Sequence, residues 1–104
     1  MSSLSTHVLD TALGRPAQGV PVRLYRGDVV EATGTTDPDG RIVFAQAVDT
    51  GTYRLWFDVT TYAKSTGQDV FFPEVSVTFT VAHERHYHVP LLLSPFAFST
   101  YRGS

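Results

Sequence analysis

Hydrophobic and polar residues alternate with a period of two along most of the chain, as in strands that bury one face. Turn signals containing Gly and Pro interrupt this alternation, most clearly at residues 37–40, Asp-Pro-Asp-Gly. We predict strands over residues 5–10, 20–25, 29–35, 41–45, 52–59, 75–81, 86–93 and 96–101, with a loop at 12–16. Short strands separated by regular turns predict an all-β fold, a sandwich or a barrel, of seven to eight strands.

One segment departs from the strand pattern and predicts a short helix near residues 60–67. Thr60 is a residue type that caps helix N-termini, and Gly67 is suited to end a helix. The rest of the composition favours strands. The strand formers Val and Thr occur thirteen times each, whereas the helix formers Ala and Glu occur eight and three times.

Composition and charge exclude several classes of protein. The 104 residues, 42% of them hydrophobic, are enough for a single domain, residues 1–104, with one core. Eight Lys and Arg against ten Asp and Glu do not form the basic surface of a nucleic-acid binder. Residues 89–93, the longest apolar run, are too few to cross a membrane. Because the chain has no cysteine and no signal-peptide pattern, we expect a soluble cytoplasmic domain without disulfides.

Two histidines on one predicted strand are the first candidates for chemistry. His86 and His88 are two residues apart, so both project from the same face, opposite the more apolar face that begins with Tyr87 and Val89. They are interpretable as metal ligands, with His83 or His7 as a third ligand, or as acid–base groups. They also fit exposed strand residues without a role, and spacing leaves all three readings open.

The other candidates are more isolated. His7 lies on the first predicted strand, and Arg41 directly follows the turn at 37–40, where a hairpin would present its guanidinium to an anion or a polar heterocycle. Each also fits an ordinary surface residue. The turn itself is a weak calcium motif, because Pro38 interrupts it and the distal Glu is missing. No Gly-x-Ser-x-Gly elbow, carboxylate pair or Gly-rich phosphate loop is present.

Five segments, taken together, are typical of one family. They are LSTHVLDTALGRPA at 4–17, TDPDGR at 36–41, FFPEV at 71–75, HYHVPLLLSPF at 86–96 and STYRGS at 99–104. In this order they resemble the 5-hydroxyisourate hydrolases, the transthyretin-related enzymes of urate breakdown. The resemblance extends from residue 4 to residue 104 without a large gap. Its last segment is the signature that separates these hydrolases from transthyretin.

The resemblance implies a fold, an assembly and a reaction. It implies a transthyretin-like two-sheet β-sandwich with one short helix, and a homotetramer, a dimer of dimers, with active sites in the clefts where dimers meet. The implied reaction is hydrolysis of 5-hydroxyisourate, a purine-derived small molecule, to 2-oxo-4-hydroxy-4-carboxy-5-ureidoimidazoline. The implied reaction uses no cofactor and no metal. The resemblance implies no membrane or nucleic-acid partner.

The resemblance also implies site residues. His7 and His88 would hold and polarise the water and move protons, with the identity of the base left open. Arg41 would bind substrate oxygens and stabilise developing negative charge. Tyr101 and Ser104 would close the pocket, and His86 would be either a supporting residue or one without a role.

Two other functions fit the same fold, because a fold does not decide function. One is a non-enzymatic transthyretin-like carrier of a small aromatic ligand. The other is a structural interaction module without a cleft. The polar set of His7, Arg41, His88 and Tyr101 favours the enzyme, because a carrier pocket would be more apolar.

Overall fold

The computed structural model describes residues 2–45 and 47–104, which form nine strands and one helix. The strands are β1 Ser3–Asp10, β2 Arg15–Pro16, β3 Pro21–Arg26, β4 Val29–Thr35, β5 Arg41–Val43, β6 Gly51–Asp58, β7 Glu74–Val81, β8 His86–Ser94 and β9 Ala97–Thr100, and the helix α1 is Val59–Thr66. The all-β prediction is confirmed. The ninth strand is β2, in the segment predicted as a loop, because two residues there pair with the end of β1.

The strands form two sheets, as a sandwich requires. One sheet has the order β2-β1-β8-β9, with β5 also paired to β1, and the other has the order β4-β3-β6-β7. Strand β1 runs parallel to β8 and antiparallel to β2 and β5. It is therefore an interior strand that brings together residues from the two ends of the sequence.

The core lies between the two sheets. It consists of the residues that face inward along each amphipathic strand. Leu4 and Val8 of β1 and Leu91 of β8 are buried against Leu24 of β3 and Phe57 of β6. The alternation leaves the opposite faces of β1 and β8 for polar side chains. Within the described ranges, no helix is long and apolar enough to cross a membrane.

The predicted helix is confirmed, but its N-terminal cap is Asp58 and not Thr60. The Asp58 carboxylate accepts hydrogen bonds from the Thr61 backbone N–H at 3.1 Å and the Thr61 hydroxyl at 2.7 Å. Thr60 instead donates to the Pro73 carbonyl, which ties the helix to the segment before β7. Gly67 ends the helix in the left-handed conformation, with φ of 66°, as predicted.

A buried carboxylate, Asp10 at the end of β1, joins this strand to the helix. Its Oδ1 accepts from the backbone N–H groups of Ala12 and Leu13, and its Oδ2 from the Tyr62 hydroxyl at 2.6 Å and the Gln68 amide at 2.9 Å. Burial raises the pKa of Asp10, but the four hydrogen bonds to its charged form outweigh burial and hold the pKa below its usual value. Burial and the adjacent carboxylate raise the pKa of Tyr62 well above its ordinary value.

Candidate active site

The outward face of β1 and its neighbours carries the predicted catalytic residues. The strand registers pair His7 with Arg41 on β5, and Ser5 with His88 on β8. Residues two apart share a face of a strand, so Ser5 and His7 project from the same side of β1. Strand pairing thus gathers three predicted residues that lie up to 81 positions apart in the chain.

Three imidazole rings form a row on this face. The ring centroids of His7 and His88 are 6.4 Å apart, and those of His88 and His86 are 6.5 Å apart. Ser5 lies between the last two, with its Oγ 2.8 Å from His86 Nε2 and 2.8 Å from His88 Nδ1. The row is continuous from a partly buried end at His7 to an exposed end at His86.

A cavity of about 290 Å³ opens on the row. It lies near the lower end of the range for small-molecule pockets. Its lining combines hydroxyl, imidazole and guanidinium groups with one aliphatic side chain; the lining residues are Ser5, Thr6, Arg41, Val43, His86, His88 and Ser104. Three of the five predicted site residues, Arg41, His88 and Ser104, therefore line one pocket.

Two predicted residues are placed differently. His7 is beside the pocket, with its ring next to the ring of His88. Tyr101 lies along a separate groove of about 480 Å³ that also contains His83 and Tyr87, and its side chain is 55% exposed. Within a single chain, Tyr101 and the histidine row line different surfaces.

The turn before β5 holds Arg41 in place. Asp37 Oδ1 accepts hydrogen bonds from the backbone N–H groups of Asp39 and Arg41, each at 2.9 Å. Gly40 adopts φ of 75°, and a Cβ there would lie 2.4 Å from the Val8 carbonyl oxygen, so the turn packs directly on β1. The Arg41 side chain is exposed and lines the pocket. The cation is therefore available to an anionic or carbonyl ligand.

The C-terminal segment reaches the pocket across His88. The Gly103 backbone N–H donates to the His88 carbonyl at 2.9 Å. A Cβ on Gly103 would lie only 2.5 Å from His88 Cδ2, so the segment can lie this close to the ring only with glycine at that position. This packing brings Ser104 to the pocket.

The surroundings of His88 favour its neutral form. Burial lowers the pKa of His88 most, and the positive charges of His7, His86 and Arg41 lower it further. A neutral imidazole at physiological pH is able to accept a proton, which is what a general base must do.

His7 carries an unpaired polar atom. Its Nε2 is buried and has no hydrogen-bond partner among the described residues. An unpaired buried polar group costs about 1–3 kcal/mol, so it is a feature retained against stability and typical of functional sites.

Metal binding by the histidines receives no support from their arrangement. Across the described part of the chain, no group of three or more His, Cys, Asp and Glu residues is arranged to hold a metal ion. The pair His86 and His88 is instead bridged by a serine hydroxyl.

Sequence reasoning gave His86 no partner and did not single out Ser5, which lies between His86 and His88 in the structure. The available signal was the alternation of β1, which puts Ser3 and Ser5 on the face that carries His7. Its meaning depends on the parallel pairing of β1 with β8, which pairs Ser3 with His86 and Ser5 with His88.

Residues 4–103 match the model of the HIUase/Transthyretin family. The chain belongs to this family. It is 47% identical to the 5-hydroxyisourate hydrolase of Mus musculus, over 99% of this chain and 96% of the relative. It superposes on the 5-hydroxyisourate hydrolase of Klebsiella pneumoniae with a TM-score of 0.93 and 37% identity, covering 100% of both chains.

The same fold is found in a binding protein of this family. Sea bream transthyretin, in a crystal structure with thyroxine, matches with a TM-score of 0.87 and 34% identity, over 96% of this chain and 93% of that one. The fold alone therefore does not separate hydrolase from carrier, and the separation depends on the side chains of the site.

Proposed function

We propose that this protein hydrolyses 5-hydroxyisourate to 2-oxo-4-hydroxy-4-carboxy-5-ureidoimidazoline in urate degradation. The proposal is supported by full-length similarity to proteins named 5-hydroxyisourate hydrolase. The single observation that carries it is the pocket in which His88, Arg41 and Ser104 meet beside His7.

The reaction is the opening of a cyclic amide by water. The water oxygen bonds to a ring carbonyl carbon, the carbon–nitrogen bond breaks, and the nitrogen takes a proton. The step needs a base for the water, a proton donor for the leaving nitrogen and a cation for the oxyanion. Imidazole and guanidinium groups meet all three needs.

We assign the base role to His88. Its lowered pKa keeps the ring neutral near pH 7, and a contact of Nδ1 with Ser5 leaves Nε2 for the water. His7, whose Nε2 lacks a protein partner, would orient the water and supply the proton for the leaving nitrogen. Both roles follow from the adjacency of the two rings.

Arg41 would bind the substrate oxygens and stabilise the oxyanion. Its side chain is exposed and lines the pocket, and its backbone N–H is fixed by the Asp37 carboxylate in the turn before β5. A planar guanidinium binds two oxygens at once, which a substrate rich in carbonyl groups provides. Ser104, which lines the same pocket, would also contact the substrate.

We further propose a homotetramer, a dimer of dimers, whose clefts complete the site. Strand β9 is an exposed sheet edge, and Phe98 on it is 42% exposed. Exposed edges and exposed apolar side chains are features that association covers. In such an assembly Tyr101 would border a pocket that its own chain does not reach. Light scattering after gel filtration measures the mass and tests this proposal.

The carrier alternative is not favoured. A pocket for a small apolar ligand is lined predominantly by hydrophobic and aromatic groups. The lining of this pocket has one aliphatic side chain, Val43, among imidazole, guanidinium and hydroxyl groups. Such a lining would leave polar groups unpaired against an apolar ligand.

The hydrolase proposal is tested with substrate generated in situ by urate oxidase, following the decay of its ultraviolet absorbance. We expect catalysis by the wild-type protein and a loss of about 10²–10⁴-fold in kcat for His88→Ala, the range for positioned acid–base groups. Ser76→Ala, which removes an exposed hydroxyl group on β7 outside this pocket, is the control and should retain wild-type activity. A wild-type rate no faster than spontaneous decay would disprove the proposal.

A further inference from the structure

A chain of hydrogen bonds extends from His88 to the surface. Ser5 Oγ contacts His88 Nδ1 and His86 Nε2, each at 2.8 Å, and Ser3 Oγ contacts His86 Nδ1 at 2.6 Å. Ser5 is 7% exposed, whereas Ser3 and His86 are exposed. The chain thus connects a partly buried ring nitrogen with solvent through two hydroxyl groups and one imidazole.

The chemistry of these groups permits two arrangements of protons. A serine hydroxyl has one proton, so Ser5 donates to one imidazole and accepts from the other. If His88 carries its proton on Nδ1, Ser5 accepts it and donates to His86 Nε2, and His86 donates from Nδ1 to Ser3. His88 Nε2 is then unprotonated and able to act as a base. In the reversed arrangement each donor becomes an acceptor and each acceptor a donor, and His88 carries its proton on Nε2.

Amide hydrolysis requires a path by which the base passes its proton to solvent. The reacting water gives one proton to His88, and His7 gives one to the leaving nitrogen. The new carboxylic acid ionises near neutral pH and returns a proton to His7, so each turnover releases one proton, the one taken up by His88. A base that keeps this proton is inactive in the next cycle. The positive charge near His88 also disfavours a lasting imidazolium, since His7, His86 and Arg41 all lower its pKa.

We infer that Ser5 and His86 are positioning residues that set the tautomer of His88 and relay its proton to solvent; this inference rests on the proposed function. His88 Nε2 accepts a proton from the reacting water, and the Nδ1 proton passes to Ser5 Oγ. The Ser5 hydroxyl proton passes to His86 Nε2, and His86 releases its Nδ1 proton to solvent at Ser3. Each group ends with as many protons as it had, and the direction of the chain is reversed. After product release, His88 Nε2 loses its proton to water in the open pocket and a proton returns from solvent through Ser3, His86 and Ser5 to Nδ1, which restores the base.

The test combines kinetics with nitrogen NMR of histidine-labelled protein. We expect Ser5→Ala and His86→Gln to lower kcat about tenfold or more with KM within about twofold, as for partners that orient functional histidines. Glutamine keeps a hydrogen-bonding group next to Ser5 but cannot carry a proton through its side chain. In the wild-type protein, the His88 signals should report a proton on Nδ1, and in Ser5→Ala this preference should be lost.

The controls and outcomes separate this inference from the proposed function. Ser76→Ala removes an exposed serine on β7 that lines neither the pocket nor the row, and it should match the wild type. Wild-type inactivity refutes the proposed function. Wild-type activity with kcat unchanged in Ser5→Ala and His86→Gln overturns the relay, as does an unchanged His88 tautomer in Ser5→Ala. Because His86 is exposed, its variant should fold even if Ser5→Ala does not.

Discussion

Gly103→Ala tests whether the C-terminal segment positions the reacting groups. The added methyl group would lie 2.5 Å from Cδ2, 3.2 Å from Cγ and 3.3 Å from Cβ of His88. Carbon atoms in contact prefer separations of about 3.5–4.0 Å. The change therefore forces either the His88 ring or the segment to move by about 1 Å. Gly103 has no positive φ, so the effect is one of space alone.

A displacement of this size has a large effect on activity and a small one on stability. A misplacement of about 1 Å can cost about 10²-fold in rate. That factor corresponds to about 2.7 kcal/mol of transition-state stabilisation. The free energy of unfolding should fall by only about 1 kcal/mol, because the segment contributes one backbone hydrogen bond to His88.

The measurement is kcat/KM in the urate oxidase-coupled assay, beside urea unfolding of the same samples. Ser76→Ala, at an exposed position on β7 and outside the pocket, is the control and should keep activity within about twofold. If Gly103→Ala retains wild-type kcat/KM, the close approach to His88 has no part in positioning, and the reasoning is refuted.

Three further outcomes follow from the site and the core. Arg41→Lys should lower kcat/KM about 10²-fold in the same assay, because lysine keeps the charge without the planar fork; an unchanged rate would remove Arg41 from the site. The acidic limb of the kcat/KM profile should have its midpoint below 6.5, the ordinary pKa of histidine, because burial lowers the pKa of His88; a midpoint above that value contradicts the assignment. Asp10→Asn should lower the free energy of unfolding by about 3 kcal/mol near neutral pH, because an amide group then faces the donors Tyr62 and Gln68. The ionised Asp10 carboxylate stabilises the folded protein, and its pKa is lowered from the usual 3.8. This contribution is therefore present above the unfolded-state pKa and is lost as the pH falls through the folded-state pKa. In urea unfolding, the difference in free energy of unfolding between the wild type and Asp10→Asn should therefore become smaller in strong acid. A difference that does not change with pH would contradict this explanation.

Much of the fold was predictable because its signals are local. The alternation of residues predicted the strand at Val29–Thr35 with its correct bounds and most of the others within a few residues. The left-handed conformation at Gly67 ended the helix as predicted, because glycine alone adopts it at no steric cost. The cap at Asp58 was missed, although Asp is a stronger capping type than Thr, because Asp58 falls within the segment predicted as a strand.

The site depends on contacts between distant parts of the chain. The sequence by itself determined which residues share a face of each strand, and the resemblance of five segments to one family determined which of them were candidate site residues. Only the tertiary structure decided that β8 lies parallel to β1, which places Ser5 between His86 and His88 and gives His86 a partner. It also decided that Tyr101 lines a different groove from the histidine row. The physical reason is that alternation fixes the side of a strand on which a residue lies, whereas the neighbouring strand and its register are fixed by packing of the whole core.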